Sequence, residues 1–260
     1  MVVRYLSDGQ PIAGVGSWTE PPAPARTTAM VMDQPMYLDA LHLRHRQLEQ
    51  PQDILQHVEH FFTMSHLLVE LDLSRNLLSD LPFELNRYLP NLRHLNLACN
   101  RLTCIPKLLL HLPQLQHLNL SENQLTHLDG LAAAVPRLKT FRVGGNRLAA
   151  LDDAWAACTH LTLLELGSEC NGNRLTSLPP TLAQLTRLVD LDVSNNLLQQ
   201  WPLLPPALLH LKMTGNQLTS LPPDLLVHCP HLITVDVSSN TICALPSLFL
   251  RSRDQPKPKS

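Results

Sequence analysis

Thirteen histidines and six cysteines are the side chains of this 260-residue chain best suited to chemistry, and their spacing decides which chemistry is open to them. His94, His117 and His210 recur at one position of a repeated phrase, so they share one column of whatever surface that phrase builds. Neighbouring imidazoles can hold a metal ion jointly. Two ligands with no thiolate or carboxylate beside them make a poor site, so an ordinary polar surface is expected, with no metal and no cofactor. The cysteines (Cys99, Cys104, Cys158, Cys170, Cys229 and Cys243) are scattered and form no C-x-x-C pair. Gly144-Gly145 lacks the lysine and long helix that complete a phosphate loop. Nucleophile-elbow, H-E-x-x-H and EF-hand patterns are absent too. No base, nucleophile and orienting group come together, so no catalytic residue is assigned and an enzyme is not expected.

The phrase that places these residues is Leu-x-x-Leu-x-Leu-x-x-Asn-x-Leu. It reads cleanly as Leu68, Leu71, Leu73, Asn76, Leu78 and again as Leu92, Leu95, Leu97, Asn100, Leu102. The first leucine recurs at Leu115, Leu138, Leu161, Leu188, Leu208 and Leu232, mostly 23 or 24 residues apart. A fixed period of this length signals a repeat architecture. A weaker copy precedes them at Leu38, Leu41, Leu43 and Leu48, with Arg46 in the asparagine slot. Leu-x-Leu has period 2, so its leucines point one way from a short strand and the residues between them point the other. The chain must then turn sharply. An amide with two donors and an acceptor can satisfy backbone groups that this turn would strand. Asn76, Asn100, Asn123, Asn146, Asn173, Asn196, Asn216 and Asn240 hold that slot, and they read as a structural ladder. Asn119, four residues before Asn123, should face outward and be replaceable at little cost.

These residues resemble the leucine-rich-repeat family from about Leu38 to Leu250. The Leu-Pro or Ile-Pro pairs downstream (Leu81-Pro82, Ile105-Pro106, Leu178-Pro179, Leu221-Pro222, Leu245-Pro246) look like its intracellular 23-residue class, found in Ras-pathway scaffolds. The resemblance implies an α/β solenoid: a horseshoe of about nine repeats. A short parallel sheet would line its concave face, with mixed helical and extended segments on the convex side. It also implies protein partners such as small GTPases, kinases or phosphatase subunits.

Residues 1–36 are proline-rich and aperiodic and are expected to form a flexible arm. Residues 37–250 would be the solenoid, with a capping helix over 52–66 whose apolar residues fall on one face. Residues 251–260 read as a disordered tail. One turn helical segments are expected at 132–135 and 154–157, while Pro202, Pro205 and Pro206 keep 201–207 extended. The spacing of 27 after Leu161 holds an insertion. Its residues Glu169, Cys170, Asn171 and Gly172 should protrude as a rim loop.

A net charge of −2 gives no case for nucleic acid or an anionic membrane surface. No stretch approaches 18 uninterrupted apolar residues, so membrane insertion is not expected. Ungrouped cysteines and the lack of an N-terminal apolar core suggest a reducing, intracellular, cytoplasmic protein.

The outward columns carry the expected function. One runs Glu70, His94, His117, Thr140, Leu163, Asp190, His210, Thr234. The next runs Asp72, Asn96, Asn119, Arg142, Glu165, Asp192, Lys212, Asp236, with Lys139 beside Arg142. Acidic and basic bands alternate along the strip. Such a strip suits a protein-binding scaffold or adaptor in signal transduction, since charge complementarity sets specificity and register. A structural subunit of a cytoskeletal or axonemal assembly is the alternative. The column after the third leucine is small (Ser74, Ala98, Ser121, Gly144, Gly167, Ser194, Thr214, Ser238), which would let a partner approach the backbone.

Overall fold

Each Leu-x-Leu phrase folds as a three-residue strand: β2 (Ala40–His42), β3 (Glu70–Asp72), β4 (His94–Asn96), β5 (His117–Asn119), β6 (Thr140–Arg142), β7 (Leu163–Glu165), β8 (Asp190–Asp192), β9 (His210–Lys212) and β10 (Thr234–Asp236). A computed structural model describes residues 2–4, 40–50, 52–55, 68–168 and 171–243. The nine strands are parallel and in sequence order. The central residue of each strand lies opposite the next, so Leu71, Leu95, Leu118, Phe141 and Leu164 form one inward row. Strand β1 (Val2–Arg4), from within the arm, pairs antiparallel with the outer edge of β10. The rest of the 1–36 arm, residues 56–66 of the expected cap, Glu169, Cys170 and the 251–260 tail lie outside the described residues. Residues 52–55 are helical, and Ile54 is buried.

Convex crossings are single turns. Residues Phe83–Tyr88, Lys107–His111, Asp153–Ala157 and Pro180–Gln184 are 3-10 helices, while Leu131–Ala134 and Leu225–His228 are α-helical. Pro82, Pro106 and Pro179 sit at the starts of three of them. Proline fixes φ near its helical value and lacks a donor that this position would leave unused. Asp152 caps its turn by accepting from the Ala154 N–H at 3.1 Å. Residues 201–207 carry no helix. The turns at 83–88, 107–111, 180–184 and 225–228 are too short to leave a period in the sequence and lack the clustered alanines that mark those at 131–134 and 153–157.

Leucine dominates the core between the layers, with a few Val, Ile, Met and Cys side chains among it. It also holds an aromatic pair: Phe141, in a leucine slot of β6, stacks on Trp155 at 4.5 Å, and both are fully buried.

The asparagines stitch successive turns together. Asn100 donates to Leu97 O in its own turn and to Leu73 O in the preceding one, both at 3.0 Å. Its Oδ1 accepts from the Leu78 N–H at 3.1 Å, again in the preceding turn. Asn123, Asn146, Asn173, Asn196, Asn216 and Asn240 repeat this pattern. Asn76 reaches Leu43 O and accepts from the Arg46 N–H, serving the turn where Arg46 replaces an asparagine. The residue before the asparagine is left-handed in most turns: φ is 57° at Arg75 and Cys99, 54° at Glu122 and Asn195, and 53° at Ser239. For a non-glycine residue this conformation costs about 1–2 kcal/mol, which the amide bonds of the ladder offset.

Candidate protein-binding face

The concave sheet presents the two outward columns, and the structure gives their members unequal freedom. In the first column His94 and His117 stack face to face, centroids 4.3 Å apart and planes 12° from parallel. Stacked rings aim their nitrogens along the ring planes and not at a common point between them. Among the described residues no three His, Cys, Asp or Glu converge as metal ligands. His117 Nδ1 bonds Thr140 Oγ1 at 2.8 Å, and His210 Nδ1 bonds Thr234 Oγ1 at the same distance. Burial, then the neighbouring His94, Lys139 and Arg142, pushes the His117 imidazole down to about 4. It is neutral at physiological pH.

In the second column five side chains also serve their own backbone. Asp72, Asn96, Asn119, Asp192 and Asp236 each turn an oxygen back to accept the backbone N–H two residues on, at 2.8–3.1 Å, and all but Asp72 stay half-exposed on the face. The strand ends here, and this short side chain satisfies a donor that the sheet no longer reaches. Asp72 departs furthest. It is only 2% exposed, held by Arg44 Nε at 2.5 Å and Asn96 Nδ2 at 3.2 Å, so it presents little to a partner. Burial alone would raise the Asp236 carboxyl. Donors from the Ser238 hydroxyl and N–H and from the Thr214 hydroxyl outweigh it and hold that carboxyl below the ordinary range.

Three positions escape the pattern: Arg142 and Lys212, which carry donors and no acceptor, and Glu165, whose longer stem carries its carboxylate away from its own turn. They pair across strands. Arg142 Nε meets Glu165 Oε2 at 3.0 Å, and Lys212 Nζ lies 4.0 Å from Asp192 Oδ2. Lys139 is exposed beside them. Burial raises the Glu165 carboxyl despite Arg142, and burial raises Asp190 as well. Glu70 and His94 lie toward the other end of the strip, with Glu70 4.0 Å from His42.

At its two glycines the small column is filled by the next turn and not left open for a partner. A Cβ on Gly144 would lie 2.0 Å from Gly167 O, and one on Gly167 would lie 2.3 Å from Ser194 O. The missing side chains let successive turns touch backbone to backbone. At the rim, Ser168 Oγ donates to Glu122 Oε1 at 3.0 Å and Asn171 Nδ2 to Glu122 Oε2 at 3.3 Å. Gly172 packs where any Cβ would strike Asn195 O. Sequence reasoning passed over Glu122 and Arg44. The only signal was their place in otherwise small or polar turn slots.

Comparison with known proteins fits this geometry. The family model described as leucine rich repeat matches residues 59–125. No curated protein matches the chain. Among solved structures, YopM from Yersinia enterocolitica is 32% identical, with a TM-score of 0.55, over 69% of this chain and 35% of that one. The ectodomain of a plant membrane receptor kinase from Arabidopsis thaliana, in complex with CASPARIAN STRIP INTEGRITY FACTOR 2, is 26% identical with a TM-score of 0.58. It covers 68% of this chain and 22% of that one. The Drosophila Toll–Spatzle complex is 26% identical with a TM-score of 0.63, over 80% of this chain and 29% of that one. The chain therefore spans between about a fifth and a third of each of these structures. No helix among the described residues is long and apolar enough to cross a membrane. The in-register sheet, the asparagine ladder and the repeats matched over residues 59–125 give the chain the fold of a leucine-rich-repeat solenoid.

Proposed function

We propose that this chain is a non-catalytic adaptor that holds a protein partner against the concave sheet, with contact concentrated on β6–β9. The observation that carries this reading is the lapse of the folded-back Asp/Asn pattern at Arg142, Glu165 and Lys212. Elsewhere in that column the side chains serve their own backbone. At these three they are charged, partly exposed and supported by rigid strands. A preorganised charged patch on a fixed scaffold suits selective recognition. The Arabidopsis receptor ectodomain and Toll are each solved with a bound partner, which supports a binding role for the fold. We place the protein in intracellular signalling. Cys158 and Cys229, buried singly in the core, support a reducing compartment.

The test is Lys139→Glu with Arg142→Glu. The double variant should lose capture of the native partner while its melting temperature moves little, because both side chains face out. Undiminished capture would refute the assignment of this face.

A further inference from the structure

Charges on β6–β9 pair off with one left over. Arg142 takes Glu165 and Lys212 takes Asp192. Asp190, at the centre of the face, closes no ion pair. Its Oδ1 is shut away from solvent with no hydrogen-bond partner among the described residues. His210 and Lys212 lie within electrostatic reach and offset part of its burial, while His210 Nδ1 also bonds Thr234 Oγ1 and Lys212 also pairs with Asp192. On the other side, in register with Asp190, stands half-buried Leu163, which offers only apolar surface.

We propose that Asp190 is the anchor for an arginine or lysine side chain of the protein partner, whose aliphatic stem lies on Leu163. This inference rests on the concave-face reading and gives it a chemistry. A desolvated carboxylate oxygen without a donor is unfavourable in the free protein. Asp190 as a whole is half-buried, so an incoming guanidinium or ammonium meets the carboxylate at its exposed side and supplies donor and charge there while Oδ1 stays enclosed; charge-assisted bonds of this kind are the strong ones. The long basic side chains bury their stems on apolar surface while the head stays polar, so Leu163 beside Asp190 matches their length and character. Burial already holds the Asp190 carboxyl above its ordinary range, and a bound cation would bring it back down. The strand fixes the carboxylate in place, so little is lost in ordering it.

The experiment is an NMR titration of the full chain, leucine methyls labelled, with N-acetyl-arginine amide and with its neutral isostere N-acetyl-citrulline amide. The arginine probe should shift the Leu163 methyls with an affinity at least about tenfold that for citrulline. Asp190→Asn should erase that preference. Because it removes an unsatisfied charge, Asp190→Asn should also leave the melting temperature equal or higher, the mark of a group kept for binding. Equal responses to the two probes, no response at Leu163, an arginine preference that survives Asp190→Asn, or a fall in melting temperature would each overturn the anchor. If arginine shifts gather on convex methyls such as Leu110 and Leu203 and leave the sheet silent, the face itself is wrong. Shifts on the sheet that ignore Asp190 would sink the anchor alone.

Discussion

Replacing Asn123 by leucine, a bulkier side chain with the same number of heavy atoms and the same branching, removes every bond the ladder amide makes. Asn123 Nδ2 donates to Leu97 O and Leu120 O at 3.0 Å each and to Ser121 O at 3.2 Å, and its Oδ1 accepts from the Leu102 N–H at 3.0 Å. Two of these losses are partly covered: Leu97 O keeps Asn100, and Leu120 O keeps Asn146. The Leu102 N–H is left buried with nothing to bond. A stranded buried donor costs about 1–3 kcal/mol, and the weakened carbonyls bring the expected loss to about 2–4 kcal/mol. Asn119→Leu, four residues earlier, removes one bond, from the Ser121 N–H at the half-open strand end. It should cost about 0.5–1.5 kcal/mol, more than an unattached surface residue would. Urea unfolding followed by buried Trp155 fluorescence and far-ultraviolet circular dichroism would read both, with slopes unchanged. Equal losses, or a loss below about 0.5 kcal/mol at Asn123, would refute the assigned bonding.

Gly144→Ala should destabilise by about 1–3 kcal/mol, because its methyl would overlap Gly167 O. Gly130→Ala makes the contrast: φ is +74° there but the nearest atom lies 3.8 Å away, so only the left-handed penalty of about 1 kcal/mol applies; thermal melts of the pair would rank them. Acidification should weaken the fold through His117. The unfolded imidazole takes up its proton near 6.5 and the folded one only near about 4. Between those values the unfolded chain binds more protons, so stability falls as the pH drops. Discounted for the solvent this half-open ring still sees, the loss is about 1–2 kcal/mol, and His117→Gln should remove it from a pH series of urea midpoints. Asp190 and Glu165, raised by burial, act in the opposite sense, while Asp236, held low by its hydrogen bonds, acts with His117.

The repeat phrase made the sheet legible residue by residue, since period 2 assigns every leucine inward and every alternate residue outward. It did not separate two kinds of outward residue. Asp192 and Glu165 look alike as acidic letters in one column, yet one side chain is short enough to bond its own turn and the other is not. Asp72 was misread for a related reason: Arg44, which covers it, lies 28 positions away on the neighbouring repeat. The cost of isolating Asp190 was likewise invisible, because it depends on which cations the neighbouring strands have already engaged. The short helices at 83–88, 107–111, 180–184 and 225–228 escaped because they are shorter than the pattern that would betray them, while those at 131–134 and 153–157 showed through their alanines.

The amide ladder also has a direction. Every Oδ1 in it serves the unit before its own, as Asn240 does for Leu218. A chain emerging from the ribosome would thus hold each new coil incomplete until its successor arrives. Removing the last coil should then unsettle the newly terminal one, whereas removing the first coil releases the next amide to water; deletions at the amino end that also take Val2–Arg4 bare the edge of β10 as well. Graded truncations from the two ends should accordingly lose stability unequally.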